Sequence, residues 1–188
     1  AYAIGESSVS SQNKSYAIGT SSTASGTSSY AIGEGSASLA TGSYAIGAGA
    51  NSSATGSFAI GNQSISASNN TLALGNEAQA INNNATALGY QAIASNQNSI
   101  AIGPATTSVD NSIILGNTTN TTTDSYAATK VGIGTSNPSA KLHINGTFRY
   151  VDGNEGNGKV MTSDANGNAT WQDASSGGTG GTGGGSGA

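Results

Sequence analysis

The sequence is poor in cysteine and in charge, and each shortage excludes a class of protein. The 188 residues include no cysteine, which excludes disulfide staples and thiolate metal sites. Only 7% of the residues are charged and only five are Lys or Arg, so no basic patch for nucleic acid exists. No apolar run approaches the roughly 20 residues of a membrane-spanning helix. We therefore predict neither a nucleic-acid partner nor membrane insertion by this segment.

Large apolar side chains are also scarce. Hydrophobic residues make up 35% of the chain, and many of them are alanine. An ordinary globular core needs more large apolar surface than this, so a lone folded monomer is not expected. Disordered chains usually carry more charge and more proline than this chain, which has two prolines. The composition favours a regular stack in which backbone hydrogen bonds contribute much of the stability.

What the chain does have is a short motif, closed by glycine, that returns along the first two thirds of the sequence. The copies read YAIG four times, then FAIG, LALG, TALG, IAIG and IILG. Their glycines are fourteen residues apart, except that the last follows after thirteen: Gly5, Gly19, Gly33, Gly47, Gly61, Gly75, Gly89, Gly103 and Gly116. Residue 1 already lies inside a repeat and is not Met, so we expect a processed chain or a fragment.

A period of fourteen residues predicts a parallel β-roll. It is too short for a helical repeat, which needs about 33 residues, but it holds two short strands and two turns. Glycine at the end of each motif suits a corner with positive φ, and Asn and Ser suit the other corner. Nine coils stacked at about 4.8 Å would form a rod on the order of 40 Å long.

Strand alternation gives each coil one bulky and one small face. Tyr16 and Ile18 share one face, and Ala17 lies on the other. We assign the bulky face to the interior, although Tyr is large for so thin a roll and the reverse arrangement stays open. The small face would suit packing of identical copies around a closed axis. The assigned repeat core comprises Ile4, Ile18, Ile32, Ile46, Ile60, Leu74, Leu88, Ile102 and Leu115.

This pattern resembles the head repeats of trimeric autotransporter adhesins, the YadA-like heads. Those repeats read Ser-Val-Ala-Ile-Gly, with small residues three and five positions after the glycine. The resemblance covers about residues 1–116 and implies an all-β, left-handed parallel β-roll in a homotrimer. The departures are aromatic residues where Val or Ile is usual, which either widen the roll or form a ladder at a subunit contact. These residues, for which we favour packing over carbohydrate stacking, are Tyr2, Tyr16, Tyr30, Tyr44 and Phe58.

The repeat decays after Gly116. We predict a Thr-rich connector over 117–130, with one degenerate coil near Tyr126, and a Gly/Ser/Thr-rich linker over 174–188. Between them, 131–173 is predicted as a small β-rich fibre module that is also trimeric, with turns at Asn145-Gly146 and at 164–167. Its predicted strands are Val131–Thr135, Lys141–Asn145, Thr147–Val151, Lys159–Ser163 and Ala169–Gln172.

This module resembles a segment of phage tail fibres and of fibre-like surface proteins of Bacteroidetes. The first motif that carries the resemblance is GIGTSNPSAKLHING, from Gly132 to Gly146. The second is GKVMTSDANGNATW, from Gly158 to Trp171. The resemblance implies a segment of an extracellular fibre.

Residues for chemistry are few. His143 is the only histidine, so no metal or Ser-His-acid site can be assembled around it. Glu6 and Glu34 are two coils apart, and we interpret both as solvated corners. We predict no catalytic residue, no cofactor and no metal.

The sequence thus predicts a structural and adhesive segment of a homotrimeric extracellular fibre. The leading hypothesis is a phage tail fibre, part of the virion, that attaches to a host surface. The alternative is a trimeric adhesin on the bacterial cell surface. A fibre-borne glycan depolymerase is less favoured because the coils have few carboxylates. The expected partners are two further copies of the chain and a host-cell surface receptor or glycan.

Overall fold

The computed structural model describes residues 1–107, 109–116 and 130–174, and these form strands, turns and bends with no helix among them. Two compact units divide the chain, 1–143 and 144–188. The predicted connector and linker, including the degenerate coil near position 126, lie outside the described residues apart from Lys130 and Ala174. The three boundaries between the four predicted segments therefore stay a prediction. The described residues contain no helix long and apolar enough to cross a membrane.

Residues 1–116 form two parallel sheets that face each other. Sheet A has nine three-residue strands: β1 (Tyr2–Ile4), β3 (Tyr16–Ile18), β5 (Tyr30–Ile32), β7 (Tyr44–Ile46), β9 (Phe58–Ile60), β11 (Leu72–Leu74), β13 (Thr86–Leu88), β15 (Ile100–Ile102) and β16 (Ile113–Leu115). Sheet B has seven two-residue strands: β2 (Val9–Ser10), β4 (Thr23–Ala24), β6 (Ala37–Ser38), β8 (Asn51–Ser52), β10 (Ile65–Ser66), β12 (Gln79–Ala80) and β14 (Ile93–Ala94).

Each coil pairs with the next at a spacing of one repeat. In sheet A, Tyr2 pairs with Tyr16, and in sheet B, Val9 pairs with Thr23, both in parallel ladders. The Tyr16 N–H donates to the Ser29 carbonyl oxygen at 2.9 Å, so hydrogen bonds run from coil to coil along the stack. The predicted parallel roll of fourteen-residue coils, with two short strands per coil, is confirmed.

The last coil is one residue shorter because a turn, and not a strand, has lost a residue. In a regular coil the N–H three residues after the glycine donates back to it, as Ala92 does to the Gly89 oxygen at 3.4 Å. In the last coil Ala105 lies only two residues after Gly103 and makes this bond at 2.7 Å. Ile100 still pairs with Ile113, so the strand register continues through the shortened coil.

The interior of the roll is filled by small side chains. The seven long strands from β3 to β15 direct their middle alanine inward, and Ala17 and its six counterparts are 0% exposed. Serine, threonine and alanine occupy the other inward positions, including Ser22, Ser57 and Ala80. The hydroxyl groups are hydrogen-bonded, since no buried side-chain polar atom of the described residues lacks a partner. Backbone ladders and close packing of small groups therefore hold the roll together.

The assignment of the bulky face to the interior is wrong for the single chain. The side chains concerned point out of the roll, because their strand neighbours are the buried alanines and successive residues alternate between faces. The fully buried side chains between the two sheets are Ala, Ser and Thr, and a larger inward side chain, Ile114, is half-buried in the terminal strand β16. The residues placed outside, exposed or half-buried, are Ile4, Ile18, Ile32, Ile46, Ile60, Leu74, Leu88, Ile102 and Leu115.

After the roll, two small two-stranded sheets are described. One pairs β17 (Val131–Ile133) with β18 (Leu142–Ile144), and the other pairs β19 (Lys159–Ser163) with β20 (Ala169–Asp173) in antiparallel fashion. These four strands confirm four of the five predicted ones, with ends shifted by at most two residues. The turn over 164–167 is also confirmed, since the Gly167 N–H donates to the Asp164 carbonyl oxygen at 3.1 Å.

The fifth predicted strand, Thr147–Val151, is wrong, and Asn145-Gly146 is a bend that no partner strand follows. The segment makes side-chain bonds to β20 in place of a ladder. The Tyr150 hydroxyl donates to the Ala169 carbonyl oxygen at 3.0 Å, and the Trp171 Nε1–H donates to the Tyr150 carbonyl oxygen at 2.8 Å.

Candidate interaction surface

The outer face of sheet A is the most distinctive surface of the roll. It is formed by the first and third residues of the nine long strands, which we call its first and second columns. Every position in both columns is apolar or aromatic except Thr86, the first residue of β13. Neither column contains a charged residue. A continuous apolar face on so weakly charged a chain is typical of a surface that another protein covers.

The first column begins as an aromatic ladder. Rings on neighbouring coils are stacked, with centroids 4.8–5.3 Å apart and planes inclined by 8–14°. The spacing follows from the coil repeat, because the rings lie on paired strands. The ladder comprises Tyr2, Tyr16, Tyr30, Tyr44 and Phe58. Four non-aromatic residues continue the column: Leu72, Thr86, Ile100 and Ile113.

The second column is the isoleucine and leucine series that the sequence analysis placed in the interior. These side chains keep much of their surface in solvent: Ile18 is 40% exposed and Leu88 is 39% exposed. In a single chain, a row of half-exposed aliphatic side chains contributes little hydrophobic free energy to folding. The same row could contribute about 25 cal/mol for each Å² that a partner removes from water.

The repeat glycines lie at the corner that follows the second column. All nine have positive φ, from 82° at Gly103 to 141° at Gly75. A Cβ added to Gly33 would lie 2.5 Å from the carbonyl oxygen of Gly47 in the next coil. From Gly5 to Gly75 the repeat glycines are therefore required twice, by backbone conformation and by the close approach of neighbouring coils.

The outer face of sheet B is different in character. Its outward residues are a mixture that includes Thr23, Asn51, Ile65 and Gln79, with no continuous apolar column. The corners are polar too, and toward the end of the roll they carry amide ladders. The Asn84 amide donates to Asn98, and the Asn98 amide donates to Asn111, each at 2.9 Å.

In the second compact unit, Asp152 connects the 150–154 segment to the hairpin of β19 and β20. Its carboxylate accepts hydrogen bonds from the backbone N–H groups of Asn154, at 2.9 Å, and Trp171, at 3.1 Å. Desolvation alone would raise the pKa of Asp152, but these hydrogen bonds outweigh it and hold the pKa below its ordinary value. Hydrogen bonds from the Asn168 side chain and backbone likewise lower the pKa of Asp164, in the hairpin turn.

Among the described residues, the other titratable side chains form no cluster suited to chemistry. The ring of His143, in β18, accepts a hydrogen bond at Nδ1 from the Ser139 N–H at 3.2 Å, in the bend that precedes the strand. Glu6 and Glu34 are exposed at corners of the first and third coils. Within the described ranges, no three His, Cys, Asp or Glu side chains are grouped so as to hold a metal ion.

Sequence reasoning missed two features of these surfaces. Thr86 belongs to a TALG copy, so its place as the one polar residue among apolar columns could have been read from the repeat alignment. The Asp152–Trp171 contact joins residues far apart in sequence, and nothing in the local pattern of either segment indicates it.

Fold and surface together define a repeat protein, a parallel β-solenoid that presents one apolar face along its whole length. Matches to the model of the YadA head domain repeat, two copies long, cover the roll in seven overlapping segments: 1–22, 11–36, 24–50, 38–64, 52–78, 66–92 and 80–106. The chain belongs to this family of adhesin head repeats. A comparison with curated proteins gave no match.

Proposed function

We propose that this chain is the structural and adhesive segment of a homotrimeric surface protein, exposed to the exterior on a bacterial cell. The observation that supports the proposal is the outer face of sheet A, which is apolar in every coil and unoccupied in the single chain. Only a partner with the same fourteen-residue period can offer apolar side chains at matching height along nine coils. Another copy of this chain has that period.

Three copies can cover this face if their first and second columns pack together around a common axis. A closed ring leaves no face uncovered, whereas an open chain of contacts would continue as a filament. A stable interface uses about 20–30 residues from each partner, and the two columns with their flanking residues approach that number. The resemblance to trimeric adhesin heads supports three as the number of copies.

Adhesion would then involve the surfaces that face away from the axis, sheet B and the corners. These surfaces are rich in hydroxyl and amide groups and poor in charge, so hydrogen bonding and not ion pairing would recognise the receptor. A host-surface glycan or a protein receptor could be recognised in this way.

A phage tail fibre that attaches to a host surface is the second candidate. It is favoured by the residues of 132–146 and 158–171, which resemble tail-fibre segments. Both candidates share the trimeric fibre and differ in the particle that carries it.

The experiment compares Ile46→Asp with Asn51→Asp. Ile46 lies in the second column of sheet A, and Asn51 lies on the outer face of sheet B in the following half-coil. We expect Ile46→Asp to abolish the trimer in light scattering and Asn51→Asp to leave it intact. Binding of the wild-type chain to intact cells and to a glycan array should be lost with the trimer. A trimer of wild-type heat resistance in Ile46→Asp would refute the proposed contact.

A further inference from the structure

We propose that Thr86 sets the axial register of the chains in the trimer, so that each coil meets the same coil of its neighbours. This inference rests on the proposed trimer and on its contact through the outer face of sheet A. It assigns a specificity-determining role to one residue of that face.

The need for such a residue follows from the repeat itself. A chain displaced by one coil along its neighbour would still bring apolar columns together over eight of the nine strands of sheet A. The second column consists of Ile and Leu throughout, so it barely distinguishes one coil from the next. The repeated apolar columns favour association of the chains, but they specify the axial position of one chain against another only weakly.

Thr86 breaks this uniformity. It is half-buried, and its hydroxyl has no hydrogen-bond partner among the described residues. Its neighbours in the first column, on the strands before and after, are Leu72 and Ile100. In the aligned trimer the three threonine hydroxyls share one height, where they can hydrogen-bond to one another.

Displacement by one coil would bring Thr86 against Leu72 or Ile100 of a neighbouring chain. The hydroxyl would then lie in an apolar contact without a partner, which is costly. A single polar residue at an apolar seam sets the register of coiled coils in the same way. The end of the aromatic ladder at Phe58 is a second, weaker determinant of the register, because a displaced chain would place this ring against Leu72 of its neighbour.

The test uses cysteine cross-linking in the 188-residue chain, which has no native cysteine to interfere. Pairs of differently tagged chains are expressed together with cysteines introduced at Ile18, Ile32 or Ile46. Same-position pairs report the aligned register, and pairs one coil apart, such as 32 with 46, report displacement. Each set is made with wild-type Thr86, Thr86→Val, Thr86→Ser and the control Thr23→Val, the same change on the outer face of sheet B.

We expect same-position disulfides in all backgrounds and displaced disulfides near background with wild-type Thr86. Thr86→Val should raise the displaced disulfides about tenfold or more, because the penalty for a lone hydroxyl is gone. Its trimer mass and melting temperature should be unchanged or higher. Thr86→Ser and Thr23→Val should behave as the wild-type chain does.

The outcomes separate the two proposals. If no same-position pair forms a disulfide at any of the three positions, the sheet A contact is wrong, and the register inference falls with it. If same-position disulfides form but Thr86→Val gives no more displaced disulfides than wild type, the register inference alone is overturned. An equal rise in displaced disulfides with the control Thr23→Val would also overturn the register inference.

Discussion

Ser52 and Ser57 face each other across the interior of the roll, with their hydroxyl oxygens 2.6 Å apart. Both are 0% exposed, and the Ser52 hydroxyl also lies 2.8 Å from the Ser57 carbonyl oxygen. Two coils further along, the corresponding residues are Ala80 and Ala85, again 0% exposed. The roll also accepts a serine at the second position alone, as at Ala24 and Ser29, where the Ser29 hydroxyl donates to the Gly26 carbonyl oxygen at 2.6 Å.

The hydroxyl pair should be strongly coupled. Ser52→Ala or Ser57→Ala alone should lower the free energy of unfolding by about 0.5–1.5 kcal/mol, because the bond between the hydroxyls is lost while the remaining hydroxyl keeps a backbone carbonyl partner. The double variant should lose less unfolding free energy than the two single variants added together, since it has the alanine pair found at 80 and 85. Urea unfolding measures all three, and the exposed Ser53→Ala should stay within about 0.5 kcal/mol. Strict additivity would contradict the pairing.

Adjacent residues Ala45 and Ile46 should respond in opposite ways to a change of size. Ala45 is 0% exposed, so Ala45→Leu overpacks the interior and should cost about 1–3 kcal/mol or more in unfolding free energy. Ile46 points outward, so Ile46→Ala should keep the circular dichroism of the roll and weaken only the association of chains. A greater loss of strand signal in Ile46→Ala than in Ala45→Leu would mean that the faces are reversed.

Glycines 33 and 35 offer a matched test of the corner. Both have positive φ, but a Cβ at Gly33 would meet the Gly47 carbonyl oxygen, whereas a Cβ at Gly35 would meet nothing within 4 Å. Gly35→Ala should cost only about 1 kcal/mol, the usual strain of a left-handed conformation. Gly33→Ala should lose clearly more unfolding free energy than Gly35→Ala and should lower the melting temperature further. Equal melting temperatures for the two variants would count against the close approach of coils.

The coil period could be predicted from the sequence, but the interior could not. Glycine spacing and strand length define a fourteen-residue coil, and alternation puts Ala17 and Ile18 on opposite faces. Alternation does not say which face is inside. That choice depends on the distance between the two sheets, which admits only small side chains in every coil before the terminal strand β16, and this distance is a property of the folded coil.

The second unit shows a different limit. Residues 147–151 have the alternation of a strand but find no partner strand, because Tyr150 and Asp152 bond to the backbone around Trp171. Such contacts join residues about 20 positions apart, and local pattern does not encode them. The hairpin of β19 and β20 was predictable because its turn sequence and alternating flanks are local.

Acid should loosen the second unit through Asp152. Its pKa is lowered in the folded chain, so the carboxylate stabilises the fold above its unfolded pKa and loses this effect as the pH falls through its folded pKa. Trp171 is the only tryptophan, so its fluorescence should shift as the pH falls below the ordinary range of an aspartate pKa. Asp152→Asn should reduce this change in fluorescence with pH, whereas Asp110→Asn, in the roll, should leave it as in the wild-type chain. An identical acid transition in Asp152→Asn would show that another group controls it.

The molar mass of the purified chain in solution tests the central claim most directly. The chain mass is 18.1 kDa, and contact of the sheet A faces around one axis predicts a single species of three times that mass in multi-angle light scattering. That species should persist on dilution and dissociate only with unfolding. A stable, folded species of 18.1 kDa would contradict the account, because the apolar columns of sheet A would then remain in water.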